Sequence, residues 1–562
     1  MVNWKSRKLG DYLLFANGVV LVILINLLAT HLFFRIDLTE EKRYSIKPQT
    51  QTILNNLEED VYIEVFLEGE LNAGFRRFQK SIRETLEEFR VYSGNKVHYT
   101  FTNPGTAQGQ KAQAEFMNDL ASRGIQPTNV IDTKDGQRVE KIIFPGAIVS
   151  AGGMERGIML LKGSTAKTSD ERINQSIENI EFELINTIYA LANTDRKRIG
   201  FVTGHHELEG ADIASFNNDL LEVYDVYKVD IARTTDLKKY NALIIAKPRT
   251  AFSQADKFRL DQYIMQGGNV MFLLDKLDAS MDSASRNDYL AIPYDLNLDD
   301  QLFKYGVRIN PDLIQDQSAA PYPIITGEAG GKPQMQLIDW PFFPLINHYA
   351  DHPVTRNLDA ILTRFVSSID TVKAPGVKKI PLLSTSQYSR TITAPVNVSV
   401  NELRKNVKAE DFSKSFIPVG YLLEGSFTSL FKNRFMPEGI DSSAAMLEQS
   451  KPARLVVISD GDIIRNDINP RSRQPQPLGF YPFNNYTFAN RELLMNALAY
   501  LTEENGLIQA RSKQIRIRPL DREKIKQEKV KWQVINLGIP ILLVIVFGVV
   551  RAYWRRNKFA RF

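Results

Sequence analysis

The sequence of 562 residues contains no cysteine, and this absence removes several classes of chemistry at once. Thiol nucleophiles, zinc–thiolate sites and iron–sulfur clusters all depend on cysteine, so none of them can operate in this chain. Disulfide-stabilised scaffolds are excluded for the same reason. The absence of cysteine does not indicate a cellular compartment, because a protein without cysteine is compatible with both reducing and oxidising surroundings.

The usual motifs for nucleotides and activated nucleophiles are missing as well. Gly330-Gly331-Lys332 is followed by Pro333, which cannot supply the hydroxyl that a P-loop requires at that position. No Gly-x-Ser-x-Gly elbow occurs, and no Gly-x-Gly-x-x-Gly follows a predicted strand. We therefore expect no cofactor in this chain, and any ATP hydrolysis must come from a partner.

Two long stretches lack charged residues, one near each end of the chain. Between Asp11 and Arg35 lie 23 uncharged residues, and between Lys531 and Arg551 lie 19 more. At about 1.5 Å rise per residue, both can cross a hydrocarbon layer of roughly 30 Å. The alternative for the first stretch is a cleaved signal peptide, and for the second a buried core helix. We predict transmembrane helices at 12–34 and 532–550.

Two spans place both tails, 1–11 and 551–562, on one side of the membrane. Basic residues in the tails favour the cytoplasmic side, although basic residues also flank the spans on the other side. We expect an inner-membrane protein with its large block outside the cytoplasm, in the periplasm. Residues 1–34 carry a net +2 and residues 532–562 a net +5, so the total of +5 leaves −2 for the block between them. The basic character belongs to the membrane anchors, and no nucleic-acid partner is expected.

Polar residues within the two predicted spans are candidates for helix packing. Asn17, Asn26 and Asn536 lie in these stretches, near small glycines. Such residues let membrane helices approach closely and form hydrogen bonds across the contact. Two interpretations stay open: the spans pack against each other, or against other membrane subunits.

The first outer region, 35–195, predicts an α/β domain. Its hydrophobic pattern gives the order βαβαββα, with an amphipathic helix over Phe75–Phe89 and a glycine turn at Gly152-Gly153. This order is that of thioredoxin-like domains. The redox Cys-x-x-Cys is absent, so we expect a scaffold without redox activity.

The second outer region, 196–510, alternates short apolar strands with helices, which predicts a parallel sheet covered on both faces. A juxtamembrane segment at 511–531 follows it. Polar residues come directly after several strands, where ligands bind in such sheets. The candidate residues for a ligand-binding or partner-binding crest are His205, Glu207, Arg249, Asp275 and Asp460.

Neither catalysis nor metal binding is expected at this crest. His205-His206-Glu207 does not match the His-Glu-x-x-His spacing, and Asp460 and Asp462 are typical of a turn after a strand. We therefore predict no catalytic, cofactor-binding or metal-binding residues. The insertions at about 276–454 contain aromatic loops, which serve either interior packing or docking.

Several segments resemble the GldG family, the auxiliary subunits of a gliding-motility-associated ABC transporter in Bacteroidota. DLTEEKRYSI at 37–46, VYIEVFLEGEL at 61–71, VTGHHE at 202–207 and NALIIAKPR at 241–249 carry the resemblance, together with the glycine-containing segment 261–275. The resemblance implies a class I glutamine-amidotransferase-like second domain, a separate permease and a separate cytoplasmic ATPase. The nucleophilic cysteine of true amidotransferases is absent here, so that chemistry is not implied.

The leading hypothesis is a membrane-anchored, non-enzymatic, extracytoplasmic subunit of an ABC-type complex that serves gliding motility. It would contact a permease, an ATPase and possible envelope proteins, and it would bind cargo or couple to the envelope. Two alternatives stay open: a membrane-tethered hydrolase or transferase that uses the crest, and a purely structural stator.

Overall fold

The computed structural model describes most of the chain. The described residues are 7–31, 45–106, 110–134, 137–161, 169–192, 196–234, 236–284, 289–329, 332–400, 409–440, 446–502 and 522–559. The chain forms two compact units, Met1–Lys513 and Gln514–Phe562. Residues 511–521 of the predicted juxtamembrane segment, together with Gly330 and Gly331, lie outside the described residues.

The described residues form eleven α-helices. They are α1 Arg7–His31, α2 Pro48–Asn55, α3 Ala73–Tyr92, α4 Gln110–Ser122, α5 Ser169–Ala192, α6 Ala214–Leu221, α7 Gln254–Met265, α8 Met281–Ala284, α9 Asp299–Tyr305, α10 Asn490–Thr502 and α11 Arg522–Phe559.

The strands of the same residues are mostly short. They are β1 Val61–Val65, β2 Val97–Phe101, β3 Thr128–Lys134, β4 Gln137–Ile143, β5 Gly146–Ala151, β6 Met154–Met159, β7 Arg198–Thr203, β8 Asp225–Asp230, β9 Ala242–Ala246, β10 Asn269–Leu273, β11 Leu290–Ala291, β12 Val307–Ile309, β13 Asp312–Asp316, β14 Ala319–Ala329, β15 Lys332–Ile346, β16 His348–Tyr349, β17 Ile361–Leu362, β18 Ile369–Thr371, β19 Val377–Ser384, β20 Ser389–Thr393, β21 Val396–Asn397, β22 Pro418–Gly425, β23 Ala453–Ile458, β24 Phe480–Tyr481 and β25 Tyr486–Thr487.

A four-stranded sheet organises the first region, in the order β2-β1-β5-β6. Strands β1 and β2 are parallel, while β5 is antiparallel to both β1 and β6. Helix α3 packs its apolar face into the core, because Phe75, Phe78, Ile82, Leu86 and Phe89 recur at helical spacing and are all buried. The predicted amphipathic helix and the Gly152-Gly153 turn are confirmed, and both glycines have positive φ.

The sequence predicts a hairpin around this turn with strands at Lys141–Ser150 and Arg156–Lys162, and its first strand begins later than expected. Residues 141–143 do not begin its first strand but end β4, which pairs with β3 in a separate two-stranded sheet. The predicted order missed this β3–β4 hairpin, because its polar and charged residues conceal the alternation of a strand.

An eight-stranded sheet organises the second region, in the order β16-β19-β22-β23-β10-β9-β7-β8. Strands β23, β10, β9, β7 and β8 are parallel, as the alternation of strands and helices predicted. Every residue of β9 (ALIIA) is buried, because helices and loops cover both faces of the sheet.

The other edge of this sheet corrects the prediction of a parallel sheet. Strands β22, β19 and β16 follow β23 in three successive antiparallel pairings, so the sheet is mixed. These strands come from the insertion at 276–454, where the sequence has little regular hydrophobic periodicity. The insertion also supplies part of a cluster of buried aromatic rings around Trp340, so interior packing is one role of its aromatic loops.

Helix α11 is the clearest membrane candidate among the described residues. Its stretch Glu528–Asn557 is long and apolar enough to cross a bilayer, with a mean hydropathy of 2.4 in its best window. Helix α1 contains a shorter apolar stretch, Tyr12–Leu24, and residues 32–34 of the first predicted span lie outside the described residues. The first span therefore stays a prediction.

Candidate functional site

The crest lies at the carboxyl ends of β7, β9, β10 and β23, where the parallel strands terminate at one edge of the sheet. Backbone hydrogen bonds join the segments that follow these strands. The Lys247 N–H donates to the Leu273 carbonyl at 2.8 Å, and the Arg249 N–H donates to the His205 carbonyl at 2.8 Å. The sheet thus fixes the positions of the side chains that leave it.

A buried cation lies at the centre of the first group of side chains. The Nζ of Lys247 is 2.8 Å from Oδ2 of Asp275 and 2.6 Å from Oδ2 of Asp462. All three side chains are almost completely shielded from solvent. Removing charges from water is costly, so each of these ions depends on the others for compensation.

Asp460 lies beside this ion triad and is also fully buried. Its carboxylate accepts a hydrogen bond from the Arg364 N–H at 2.8 Å and another from the Asp462 N–H at 2.8 Å. The Gly461 N–H donates to Oδ1 of Asp275, which links the turn after β23 to the end of β10. The turn Asp460–Asp462 is therefore joined by hydrogen bonds to Asp275 and to the backbone of Arg364.

Burial and neighbouring charges give these groups different pKa values. Burial raises the pKa of Asp460 well above its usual value, and the charges of Asp275 and Asp462 raise it further. Burial also raises the pKa of Asp275, despite the opposing charge of Lys247. Burial would raise the pKa of Asp462 too, but Lys247 and Arg364 outweigh it and hold that pKa below its usual value. The pKa of Lys247 is raised, because its two carboxylate partners outweigh the effect of its burial.

His205 anchors the second group. Its Nδ1 is 3.1 Å from Oε1 of Glu207, and its Nε2 is 3.5 Å from Oδ2 of Asp256. The ring stacks on Phe252, with the centroids 3.5 Å apart and an interplanar angle of 10°. Ser253 caps α7 by accepting from the Asp256 N–H at 3.0 Å, and its hydroxyl donates to Oδ2 of Asp256 at 2.7 Å.

This geometry limits the chemistry of His205. A general base needs a ring nitrogen within hydrogen-bonding reach of a substrate proton. Here both ring nitrogens face carboxylates, and the imidazole is buried. Within the part of the chain that the structure describes, no group of three His, Asp or Glu side chains is arranged to hold a metal ion.

The structure divides the predicted crest residues between these groups. His205 contacts Glu207, whereas Asp275 and Asp460 belong to the network around Lys247. Among the described residues, no hydrogen bond or ion pair joins His205 or Glu207 to Asp275 or Asp460. The backbone N–H of Arg249 donates a hydrogen bond to the His205 carbonyl, but the Arg249 side chain is exposed.

Four further residues were missed as members of the predicted site: Lys247, Asp462, Asp256 and Phe252. The position of Lys247 carried a usable signal, because a lysine directly after a wholly apolar strand must either reach solvent or find an anion. Asp256 and Phe252 carried no such signal, since their contacts with His205 depend on how α7 packs.

Backbone strain coincides with the crest. His206 and Lys247 have φ values of 56° and 51°, in the left-handed region that residues other than glycine rarely adopt. Gly461 permits the close approach of its neighbours, since a Cβ there would lie 2.7 Å from the Cβ of Lys247. The network around Lys247 is thus packed tightly as well as paired.

The candidate residues for membrane-helix packing lie on the terminal helices. Asn17 and Asn26 fall within α1, and Asn536 falls within α11. The side chains of Asn17 and Asn536 are exposed on their helices. Their packing partners stay a prediction.

The fold and the apolar helix together define a mixed α/β protein with a C-terminal helix suited to a membrane. Residues 196–497 match the family described as ABC-type uncharacterized transport system, and the chain belongs to this family of transporter auxiliary components. Residues 40–150 match a domain of unknown function, DUF7088.

The proteins similar to this chain include one curated relative and one solved structure. A protein of Borreliella burgdorferi (strain B31), described as uncharacterized, is 22% identical over 567 residues, covering 98% of this chain and 99% of its own length. A solved structure titled mmIFT52 N-terminal domain aligns with 54% of this chain and 97% of its own chain, at 13% identity and a TM-score of 0.31.

Proposed function

We propose that this protein is a membrane-anchored accessory subunit of an ABC-type transport complex, with no catalytic chemistry of its own. Membership of the auxiliary family carries the proposal, because the match covers the domain that contains the large sheet. The apolar helix α11 is consistent with a membrane location.

The crest supports a binding or structural role rather than catalysis. Its lysine and carboxylates are paired with one another, and both nitrogens of its histidine face carboxylates. A catalytic site instead leaves an acid, base or nucleophile free to meet its substrate. In this proposal the energy for transport comes from a separate ATPase, and substrate passage takes place in a separate permease.

The proposal places both termini in the cytoplasm and the block at 35–531 in the periplasm. There the block binds cargo or couples the complex to envelope proteins. On the GldG resemblance, we extend the proposal to a complex that serves gliding motility. A strain that lacks the protein would then lose movement on a surface while it continues to grow normally.

Partner capture tests the central claim. The full chain is purified from native membranes in mild detergent, and co-purifying proteins are identified by mass spectrometry. We expect an ABC permease and an ATPase in stoichiometric amounts. Purification of the intact chain without either protein would contradict the proposal. Small molecules that co-purify with the complex would favour cargo binding over a purely structural stator.

The absence of cysteine permits a clean test of topology. A single cysteine introduced for Ser6 or for Asn557 reports on one tail, and one introduced for the exposed Thr250 reports on the large block. A thiol reagent that does not cross membranes should label the Thr250 position in cells with a permeabilised outer membrane. It should label both tail positions only after the inner membrane is opened. The opposite pattern would invert the proposed orientation.

A further inference from the structure

Two arginines and a tryptophan share one side of α11 directly after its uncharged stretch. Arg551 and Arg555 lie about one helical turn apart, and Trp554 lies on the same side, because residues three and four positions apart share a helix face. All three side chains are exposed, and Trp554 is 75% exposed. We call Arg551, Trp554 and Arg555 the cationic face of α11.

The position of the cationic face coincides with the headgroup layer of a bilayer. The 19 uncharged residues at 532–550 rise about 28 Å along the helix, close to the roughly 30 Å of a hydrocarbon core. When this stretch spans the core, the next five residues occupy the polar layer, which is about 5–8 Å thick on each side. Tryptophan is enriched at this level of a membrane. Phospholipid headgroups are therefore the groups that surround the face.

Nothing in α11 itself neutralises the two arginines. Glu528 is the last acidic residue of the sequence, and it lies about 35 Å from Arg551 along the helix axis. The helix macrodipole attracts cations mainly within the last turn, and α11 ends at Phe559, beyond both arginines. Their charges therefore favour an anion from outside the helix.

The charges at the two ends of the chain disfavour self-association at this face. Residues 551–562 contain five basic residues and no acidic one, and residues 1–11 contain three basic residues and Asp11. A second copy of α11, or the N-terminal tail of this chain, would therefore bring charge of the same sign to the arginines, which is unfavourable. An anionic phospholipid instead brings a phosphate, with which arginine forms charge-assisted and often bidentate hydrogen bonds.

We propose that the cationic face of α11 binds the phosphate headgroups of anionic phospholipids, so that these lipids are enriched around the protein on that side of the membrane. The inference rests on the membrane anchoring in the proposed function and names the lipid class that the anchor recognises. Trp554 holds this part of the helix at the boundary between hydrocarbon and headgroups. Each basic residue near an anionic surface strengthens the attraction by about fivefold.

The lipid selectivity of the full chain in vesicles tests the proposal. The protein is reconstituted into phosphatidylcholine vesicles with a trace of spin-labelled phosphatidylglycerol or, in a parallel sample, spin-labelled phosphatidylcholine. Electron spin resonance then measures the fraction of each label that the protein immobilises. The wild-type chain should prefer phosphatidylglycerol, and Arg551→Gln combined with Arg555→Gln should lower that preference by about fivefold or more. Arg551→Lys combined with Arg555→Lys keeps both charges and should retain most of the preference.

The other end of the uncharged stretch offers a matched control. Lys529→Gln combined with Lys531→Gln also removes two exposed cations, but Lys531 lies 3.9 Å from the carboxylate of Glu528, which already compensates part of the charge. This variant should lower the preference much less than the arginine variant does. Equal losses in the two variants would overturn the proposal, because they would show an attraction that does not depend on the cationic face.

Extraction of the vesicles with alkaline carbonate separates failure of this inference from failure of the membrane anchor. A wild-type chain that resists extraction but shows no preference for phosphatidylglycerol overturns the inference, while the proposed anchor stands. A chain that carbonate removes from the vesicles refutes both.

Cross-linking in native membranes identifies what occupies the face. Because the chain has no cysteine, Trp554→Cys creates a single thiol on the same side as both arginines, and a short photo-activated cross-linker is attached there. Adducts with anionic phospholipids support the proposal. Cross-links only to protein, whether a second copy of this chain or an acidic partner, or only to zwitterionic lipid, would overturn it.

Discussion

The imidazole of His205 lies flat against the ring of Phe252, with the two centroids 3.5 Å apart. Phe252 is almost completely buried and precedes helix α7, whose first turn places Oδ2 of Asp256 3.5 Å from Nε2 of His205. The stack therefore covers one face of the His205 ring, while both ring nitrogens face carboxylates. This part of the crest is a packed element of the core, which agrees with a role in holding the loops together.

Removing the ring should test that conclusion. We expect Phe252→Ala to lower the free energy of unfolding by about 3–5 kcal/mol, because it leaves a cavity beside His205. Phe435→Ala is the matched control: Phe435 is 99% exposed, and its loss should change stability by less than about 0.5 kcal/mol. Urea unfolding of the full chain in mild detergent measures both. Equal, small effects would show that the crest is loosely packed.

The buried ion triad gives a second prediction. Lys247→Met removes the only cation of the triad and leaves Asp275 and Asp462 facing each other without it. We expect a loss of about 3–5 kcal/mol, the usual cost of breaking a buried ion pair from one side. The measurement is again the midpoint of urea unfolding.

Lys228→Met is the control for this substitution. Lys228 forms an ion pair with Glu209 at 2.7 Å, a distance like those in the triad, but its side chain is 69% exposed. An exposed pair contributes about 0–1 kcal/mol, so this variant should be nearly neutral. The difference between the two lysines isolates the effect of burial, and a destabilisation of similar size in both would refute that explanation.

The opposite pKa shifts of Asp460 and Asp462 predict separate pH windows. The folded state holds a proton on Asp460 more tightly than the unfolded state does, because the folded pKa is raised above 3.8. The free energy of unfolding should therefore fall as pH rises from about 3.8 towards the folded pKa. Asp460→Asn should flatten this slope by up to about 1.4 kcal/mol per pH unit.

Asp462 should act in the other direction and in the other window. Its folded pKa lies below 3.8, so its stabilising effect is present above that pH and is lost as pH falls through the folded pKa. Asp462→Asn should therefore alter the slope below about pH 3.8. Unfolding measured from pH 2.5 to 7 distinguishes the two. The assignment would be wrong if both variants changed the same window.

Much of the fold was predictable from local patterns. The hydrophobic pattern predicts a helix over Phe75–Phe89, and helix α3 contains it. Uninterrupted apolar runs predict strands at Ile199–Thr203, Leu243–Ala246, Val270–Leu274 and Leu455–Ile458, and strands β7, β9, β10 and β23 lie within two residues of these positions. Strands β19 and β22 were not predictable in this way. They lie within a long insertion, and their place in the sheet depends on pairing with β23 from elsewhere in the chain.

The crest shows the same division between local and long-range information. The sequence placed polar residues after the strands, and the structure puts them at one edge of the sheet. It could not show that Lys247 pairs with Asp462, a residue more than 200 positions away. Nor could it separate the His205 group from the Asp275 group, since that depends on the directions in which the side chains leave the strands.

Substitutions at His205 and Glu207 distinguish an accessory protein from an enzyme that uses the crest. His205→Asn retains an amide near the position of Nδ1 and Glu207→Gln retains the shape of the side chain, so both limit the damage to packing. We expect the assembled complex to keep its permease and its ATP hydrolysis rate within about twofold. Removal of a catalytic acid or base typically lowers a rate by about 10²–10⁴-fold. A fall in the hydrolysis rate of that size, with normal folding and normal partner capture, would contradict a purely structural role for the crest.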